Sequence, residues 1–464
     1  MLRIIICLLV LGSFSTKQIY AAPAGNTAGV KGDADREFKA KLGESIRKAE
    51  KSIKVIRKQI TESQNAPFLP DLFVQLGDLL SQKAITLYYI KMENDSKVEG
   101  SSTRIEEAQP VVVATREAIE VYKTLLRDFP AYPRRADVTY KLAICFKSID
   151  DVPQFIVATS KLIKDFPNTD YSMRGSLLLG RHFLDEKEFD SALKLLLPIA
   201  QSKLPYEKNL ARHWIGLIYL GKEKYAEALH EFEAVINDPE LKEQENPYDL
   251  KKQAGRGKSD LKREALLDSI RAYTTVYEKN PDPVAYYLKL SPTEAYYQEV
   301  IEKLALRYVT IKKYEQSVKL LRTTSERTAD SQKVVNIYRE VLLLMPVDQR
   351  IAIPVEEMSF VLHKFNLWQS YYKMPAQLHS DSYWFFEKQL RDVATRNHDL
   401  AKVERNPARK KKLLLQARDY YHLYIPFFDR TASTIKMATN LADVYYLLGE
   451  YLKSGDQYLR IYQN

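Results

Sequence analysis

The side chains best suited to binding a metal ion or moving a proton in this 464-residue chain are its seven histidines. They are His182, His213, His230, His363, His379, His398 and His422. A helical zinc site places two histidines four residues apart, as in His-Glu-x-x-His, and no two histidines here have that spacing. The sequence therefore predicts no metal ligands and no metal cofactor.

The segment GRGKS at residues 255–259 contains the glycine, lysine and serine of a phosphate-binding loop. Such a loop needs another glycine five positions before Gly257, where this chain has Lys252, and it must follow a strand. Because neither condition is met, the segment is interpreted as a charged linker. Acidic pairs such as Asp150–Asp151 do not indicate catalysis, and no Gly-x-Ser-x-Gly or cysteine–histidine motif is present. We expect no enzyme activity, no catalytic residues and no cofactor.

Tyrosine is the residue type that points to binding, since the chain has 31 tyrosines and several adjacent pairs. Adjacent residues of a helix point about 100° apart, so one ring can pack inside while its neighbour reaches a surface. Tyrosine also supplies a large, partly polar contact area. Tyr287, Tyr296 and Tyr446 are predicted to face a binding groove. The alternative is that all these rings fill space between helices.

The elements that position these side chains are predicted to be helices. Only 15 glycines are present, and 45% of the residues are hydrophobic. Few glycines disfavour a glycine-looped α/β enzyme or an all-β fold, and the many long side chains favour helices. The fold class is therefore predicted to be all-α.

A schedule of small and large residues recurs along the chain. In HWIGLIYLGKEKYAEALHEFEAVINDP (213–239), Gly216 precedes Tyr219 by three residues and Ala228 precedes Phe232 by four. The same schedule occurs 36 residues upstream, at Gly180, Phe183, Ala192 and Leu196. Two helices cross closely where a small residue of one accepts a large residue of the other. These residues are therefore predicted to pack repeated helix pairs.

This schedule resembles the tetratricopeptide repeat (TPR) family, whose unit is a helix–turn–helix of 34 residues. The segments RDFPAYPRRADVTYKLA and KDFPNTDYSMRGSLLLG resemble repeats of bacterial envelope TPR proteins. APFLPDLFVQLGDLLSQKAITLYY resembles the start of large envelope TPR proteins of gliding and predatory Gram-negative bacteria. The chain lacks the family's usual tryptophan early in the first helix, and its units are 36–37 residues long. The resemblance implies a TPR-like α-solenoid, a superhelix of helix pairs.

The predicted organisation begins with a signal peptide and an N-terminal helix. That helix carries an apolar stripe, and capping the first repeat is favoured over forming a short coiled coil. The predicted segments are a signal peptide (1–24), a disordered leader (25–35), an amphipathic helix (36–66), TPR-like repeats (68–240), a charged linker (241–260), further repeats (261–340), an irregular helical linker (341–400) and C-terminal repeats (401–464).

The first residues, MLRIIICLLVLGSFSTKQIYAAPAGN, have the format of a secretory signal. Residues 4–11 are apolar but too few to span a bilayer as an anchor, and cleavage is expected after Ala21 or Ala24. The exported chain would keep only Cys145, so it would have no internal disulfide, and this thiol is predicted to be buried. We expect a periplasmic or envelope location in a Gram-negative bacterium, with no transmembrane span.

The formal net charge is +10, and the excess of basic residues is spread along the chain and mixed with 60 acidic residues. This distribution predicts no nucleic-acid partner. The basic run at 408–418 is interpreted as one face of a helix, and peripheral contact with anionic lipid is the alternative. The chain stops inside the second helix of a repeat, which suggests either a docking end or a fragment of a longer protein.

An open stack of helix pairs offers long grooves for a peptide or a partner's helix. The predicted function is a non-catalytic protein–protein interaction scaffold of the envelope, binding a protein or peptide partner. Resemblance to gliding-motility TPR proteins suggests a role in motility or envelope assembly. The alternatives are a chaperone-like carrier of outer-membrane proteins and a regulatory part of a cell-wall enzyme.

Overall fold

The computed structural model describes residues 28–95, 109–241, 260–279, 281–371, 376–429 and 431–463. These residues form twenty α-helices and no strand. The helices belong to two compact units, Met1–Ala265 (unit 1) and Leu266–Asn464 (unit 2). The predicted signal peptide and the GRGKS segment lie outside the described residues.

Unit 1 is a stack of helix hairpins. Its helices are α1 (Ala28–Glu62), α2 (Leu69–Asp95), α3 (Gln109–Asp128), α4 (Arg135–Ser148), α5 (Val152–Asp165), α6 (Asp170–Asp185), α7 (Phe189–Ile199), α8 (Pro205–Gly221) and α9 (Tyr225–Ile236), and α10 (Leu261–Val276) crosses the unit boundary. The hairpins are α2–α3, α4–α5, α6–α7 and α8–α9, and each packs against the next. The first helices α4, α6 and α8 also contact one another in turn.

Unit 2 repeats the arrangement. Its helices are α11 (Pro283–Leu290), α12 (Glu294–Thr310), α13 (Tyr314–Arg327), α14 (Ser331–Leu344), α15 (Val347–Ile351), α16 (Val355–Tyr371), α17 (Ala376–Val403), α18 (Pro407–Phe427), α19 (Thr434–Leu447) and α20 (Tyr451–Gln463). The hairpins are α12–α13, α14–α16, α17–α18 and α19–α20, and the first helices α12, α14, α17 and α19 contact in sequence. The predicted all-α, TPR-like solenoid is confirmed.

The repeated glycines lie where helices of a hairpin cross most closely. A Cβ atom added at Gly216 of α8 would be 2.7 Å from Cε1 of Phe232 on α9. A Cβ atom added at Gly180 of α6 would be 2.8 Å from Cδ2 of Leu196 on α7. Among the other residues of the schedule, Ala192 and Ala228 are fully buried, and Phe183 and Tyr219 are half-buried. The large side chain therefore occupies the space that the missing side chain leaves.

The turns inside five hairpins share one backbone geometry. In each of them the second residue after the end of the first helix has a positive φ of 59–79°, at Asp150, Lys187, Glu223, Lys312 and Gly449. The next backbone N–H donates to the carbonyl of the aromatic residue five positions earlier, for example Lys224 to Tyr219 at 2.8 Å and Lys313 to Tyr308 at 2.8 Å. This is the Schellman arrangement, in which the left-handed residue lets the turn satisfy the final carbonyl groups of the helix. It reverses the chain directly into the second helix.

The organisation differs from the predicted one at three places. Helix α1 begins at Ala28, so residues of the segment predicted as a disordered leader are helical. The segment predicted as an irregular helical linker (341–400) instead contains the long helix α16 and most of α17, which continues to Val403. Helix α17 pairs with α18, so the boundary predicted at residue 401 divides one hairpin. The two helices of that hairpin are joined by polar contacts between residues far apart in sequence, such as the Tyr424 hydroxyl donating to Glu387 at 2.6 Å. The spacing of small and large residues does not predict such contacts.

Helix α1 caps the first hairpin of unit 1. Ile53 is buried in the same apolar core as Val74 and Leu76 of α2. Two ion pairs hold the helix along its length, Glu50 to Lys83 at 2.8 Å and Arg57 to Glu117 at 2.6 Å. This position agrees with the favoured interpretation, in which the apolar stripe of α1 covers the open face of the first repeat. Cys145 is buried in this core, as predicted, and its thiol lies 3.5 Å from the Ser81 hydroxyl.

A buried carboxylate closes the α8–α9 hairpin and should make unit 1 sensitive to acid. Asp238 accepts hydrogen bonds from Lys208 at 2.7 Å, Asn209 at 2.7 Å and the Glu240 N–H at 2.9 Å. Burial alone would raise the pKa of Asp238, but these hydrogen bonds outweigh it and lower the pKa to about 2. Since the unfolded pKa is about 3.9, this stabilisation is complete above about pH 4 and is lost as the pH falls towards 2.

We therefore expect Asp238→Asn to lower the free energy of unfolding by roughly 2 kcal/mol at pH 7 and to flatten its decline between about pH 4 and pH 2. Acid titration of the Asp238→Asn chain, followed by circular dichroism, measures both effects. Glu240→Gln is the matched control, because the Glu240 side chain is 68% exposed and lies 3.9 Å from the same lysine. If the unfolding free energy of Asp238→Asn declined at acid pH as steeply as that of the wild type, Asp238 would not be the source of the acid sensitivity.

Candidate functional site

Of the three tyrosines predicted to face a groove, Tyr287 does not reach a surface. Tyr287 is fully buried, and its hydroxyl lies 3.1 Å from the Ser269 hydroxyl of α10. Its ring packs against Tyr273 and Tyr286, with centroids 5.1 and 4.9 Å away. The alternative interpretation, filler between helices, applies here because four aromatic rings meet where the short helix α11 joins α10.

Tyr296 and Tyr446 have different environments. Tyr296 is half-buried in the first turn of α12, where its backbone N–H donates to the Thr293 hydroxyl at 3.3 Å. Tyr446 is 63% exposed, and its ring lies 5.3 Å from that of Tyr451. The structure does not bring the three predicted tyrosines into one site, and only Tyr446 offers most of its surface to a partner.

A groove in unit 2 runs between α16 and α18 and is closed on one side by α13. Its volume is about 710 Å³. The residues that line this α16–α18 groove are Arg322, Val355, Glu356, Ser359, Phe360, His363, Asp419, His422 and Leu423. On α16 the lining residues recur every three or four positions, so one face of that helix forms a wall. The groove lies among second helices of the hairpins.

Its apolar floor is held in place by a network of charges. The Arg322 guanidinium lies 3.9 Å from the centre of the Phe360 ring and donates to Glu326 at 2.7 Å. Glu357 lies 3.8 Å from Arg322 and accepts a hydrogen bond from the Tyr338 hydroxyl at 3.2 Å. Burial raises the pKa of Glu357, and the positive charge of Arg322 opposes that rise. Arg322 is held by Glu326 and Glu357 and packs on the Phe360 ring, so the position of this ring in the groove is fixed.

A histidine contributes to the opposite wall. Nε2 of His422 lies 2.6 Å from the hydroxyl of Tyr445 on α19. Partial burial lowers the pKa of His422, and the positive charge of Arg418 lowers it further. The neutral imidazole is therefore favoured at pH 7, so this wall offers a polar but uncharged contact beside Asp419.

The described residues contain no cluster of three or more histidine, cysteine, aspartate or glutamate side chains that could hold a metal ion. No helix in that part of the chain is long and apolar enough to cross a membrane. The groove is a shallow surface of mixed apolar and charged groups, a form suited to holding another chain.

Unit 1 carries a buried ionic network on its first helices. Lys141 of α4 donates to Asp78 of α2 at 2.8 Å and lies 3.4 Å from Asp137. Asp137 also pairs with Arg134 at 2.6 Å, and Asp78 accepts from the Tyr122 hydroxyl at 2.7 Å. The Lys141 and Asp137 side chains are 4% and 5% exposed. This network joins two hairpins and leaves little polar surface for a ligand.

The groove residues were not identified from the sequence. Val355, Phe360 and His363 lie in the segment predicted as an irregular linker, and Asp419 and His422 lie in the next predicted block. The available signal was the three- and four-residue spacing of Glu356, Phe360 and His363. Such spacing is also typical of an ordinary amphipathic helix, so the sequence alone does not single it out.

No protein-family model matches the chain, and no curated protein sequence matches it. Solved structures do resemble it. One is a chain of the structure of Naa15/Naa10 bound to HypK-THB, with 11% identity and a TM-score of 0.32, covering 89% of this chain and 63% of that one. This chain therefore spans less than two thirds of that neighbour's length.

Two further structures have the same kind of similarity. The apo form of the quorum sensor NprR from B. thuringiensis has 12% identity and a TM-score of 0.23, covering 70% of this chain and 97% of that one. The TPR domain of P58(IPK) has 11% identity and a TM-score of 0.19, covering 75% and 88%. At these identities the likeness concerns the fold, and the stacked hairpins themselves define a TPR-like α-solenoid.

Proposed function

We propose that this protein is a non-catalytic scaffold that binds a segment of a partner protein in the α16–α18 groove. The observation that carries the proposal is the groove itself, a shallow, open surface of about 710 Å³ in which Arg322 packs on the Phe360 ring and charged residues form the rims. Helical hairpins supply a rigid frame for such a surface, and a segment of a partner protein can lie along it.

The chemistry of the groove defines the segment that fits. Val355, Phe360 and Leu423 supply apolar contacts, and Glu356 and Asp419 supply negative charge at the rims. The Arg322 charge is offset by the neighbouring carboxylates of Glu326 and Glu357. We therefore propose a partner segment with apolar residues at its centre and basic residues beside them.

The proposed setting is the envelope of a Gram-negative bacterium. The signal-like first residues, the single cysteine left after cleavage and the resemblance of the repeats to envelope TPR proteins support it. A role in motility or envelope assembly is the corresponding finer proposal. Fractionation of cells producing the tagged chain tests the setting, and recovery only from the cytoplasm would overturn it.

Binding is tested with a photo-crosslinking amino acid at Ser359, which lines the groove and is exposed. Crosslinking in an envelope extract should yield one stoichiometric protein product. Many unrelated products would favour the carrier alternative. If no protein product forms at any site along the groove, the proposed binding function is wrong.

We expect Phe360→Ala and Ser359→Arg to lower affinity for the crosslinked partner at least about tenfold, because one removes the aromatic contact and the other fills the groove with positive charge. Titration calorimetry with the purified partner measures the change. Thr439→Arg is the matched control, since Thr439 is a partly exposed residue of α19 on the first-helix side. Equal binding by all three variants would exclude the groove.

A further inference from the structure

The turn between α17 and α18 is a strongly basic surface. Residues 402–412 contain six basic side chains and one acidic side chain, a net charge of +5, and none of these residues is buried. We call residues 402–412 the α17–α18 tip. Its basic residues are Lys402, Arg405, Arg409, Lys410, Lys411 and Lys412. Such an excess of one charge on one surface attracts a partner of the opposite sign.

Most of these charges are not neutralised within the protein. Lys402 lies 3.2 Å from Asp399, and Arg409 lies 3.9 Å from Glu404. In the described part of the chain, no carboxylate pairs with Arg405 or with the lysines at 410–412. Four positive charges of the tip are therefore available to a partner outside the protein.

Hydrogen bonds hold the tip in one shape. The Asn406 side chain accepts from the backbone N–H groups of Ala408 at 3.0 Å and Arg409 at 3.1 Å, and it thereby caps α18. The Glu404 carboxylate accepts from the Asn406 N–H at 2.9 Å, and its side chain is 24% exposed. The one acidic group of the tip therefore closes the turn, and the outer surface is left to the basic side chains.

The tip extends past the turns of the two neighbouring hairpins. On one side Gln416 donates to the Ile351 carbonyl at 3.3 Å, in the turn before α16. On the other side Arg418 lies 3.8 Å from Glu450, in the turn before α20. Since α18 begins at Pro407, about 13 Å of helix precedes the first of these contacts. The tip is therefore convex, so it can meet a broad surface but cannot enclose a peptide.

The end of α17 adds exposed apolar side chains beside the charges. Val403 is 75% exposed, and Leu400, one helical turn earlier, is 48% exposed. Basic and apolar side chains on one exposed surface are suited to an anionic membrane. The charges meet the lipid phosphate groups there, and the apolar side chains enter between the headgroups.

We propose that the α17–α18 tip binds the surface of a membrane that contains anionic phospholipids. The basic side chains contact lipid phosphate groups, and Val403 enters the region between the headgroups. This corresponds to the lipid alternative for the basic run at 408–418. The tip contributes no residue to the lining of the α16–α18 groove, so failure of one proposal leaves the other standing.

Co-sedimentation of the full chain with lipid vesicles tests the proposal. Vesicles of equal parts phosphatidylglycerol and phosphatidylcholine should bind it at least about tenfold more strongly than vesicles of phosphatidylcholine alone, and salt should weaken the binding. The neutral vesicles also report any binding through the apolar residues 4–11, because both vesicles have the same kind of interior. Equal binding to both kinds of vesicle, or binding to neither, overturns the proposal.

Reversing two charges locates the contact. Lys411→Glu combined with Lys412→Glu should lower the affinity for the anionic vesicles at least about tenfold, because two attractive charges become repulsive. Both lysines are exposed, so helix content and thermal midpoint should be retained. The matched control is Lys161→Glu combined with Lys164→Glu, which changes the net charge equally at exposed lysines of α5. If the two double variants bind equally, the tip is not the contact.

A spectroscopic signal and a competing probe distinguish a membrane from an acidic protein. Fluorescence of Val403→Trp, after subtraction of the wild-type emission, should shift to shorter wavelength on anionic vesicles, because the indole ring leaves water. Polyglutamate at the same concentration of charge should bind the wild-type chain at least about tenfold more weakly than the vesicles do. An unshifted emission, or tighter binding to polyglutamate, would mean that the tip recognises an acidic protein instead.

Discussion

Replacing Lys141 with methionine should lower the free energy of unfolding of unit 1 by about 3–5 kcal/mol. The Lys141 ammonium lies 2.8 Å from Asp78 and 3.4 Å from Asp137, and its side chain is 4% exposed. Methionine keeps a similar length but removes the charge, so two carboxylates remain in a buried site without the cation between them. Removing one member of a buried ionic network costs far more than the intact network contributes.

The loss should be localised as well as large. Stacked repeats need not unfold in one step, so hydrogen exchange of peptides from α2 and α4 is the appropriate measurement, together with the thermal midpoint. Lys48→Met is the matched control, since Lys48 pairs with Glu44 at 2.6 Å but is 75% exposed, and such pairs contribute about 0–1 kcal/mol.

The triple replacement Lys141→Met, Asp78→Asn and Asp137→Asn also removes the two carboxylates that face Lys141. It should therefore recover part of the unfolding free energy that Lys141→Met loses. If Lys141→Met is no more destabilising than Lys48→Met, the network is not what holds these hairpins together.

Replacing Gly77 with alanine should destabilise the α2–α3 hairpin by about 2 kcal/mol or more, although alanine is the better helix former by about 1 kcal/mol. A Cβ atom there would lie 2.3, 2.6 and 2.9 Å from three atoms of the Tyr122 ring. Tyr122 is fully buried and its hydroxyl donates to Asp78 at 2.7 Å, so the ring has no room to retreat. The two helices must move apart instead, and this movement weakens the packing of the core between α2 and α3.

Gly43→Ala is the control for helix propensity, because a Cβ atom at Gly43 of α1 meets nothing within 4 Å. This variant should be neutral or more stable by up to about 1 kcal/mol. Hydrogen exchange in α2 and α3 distinguishes the two outcomes. Equal stability of Gly77→Ala and Gly43→Ala would show that the helix crossing tolerates a methyl group.

Residues close together in sequence determined the helix pairs. Gly216 and Phe232 are sixteen positions apart, within one hairpin, so the rule that a small residue admits a large one can be applied without knowing the rest of the fold. The same local rule predicted Gly180 as a close-packing residue, and the structure places it against Leu196. The all-α class and the TPR-like stack followed from this repeated short-range signal.

Contacts between distant residues were decided only in the tertiary structure. The sequence placed Tyr287 and Tyr446 in one category, although one is fully buried by α10 and the other is 63% exposed. Likewise, Phe360 becomes a groove residue only because Arg322 and α18 lie beside it. Helical periodicity says which side chains share a face, but burial and charge pairing depend on which face of another helix arrives there.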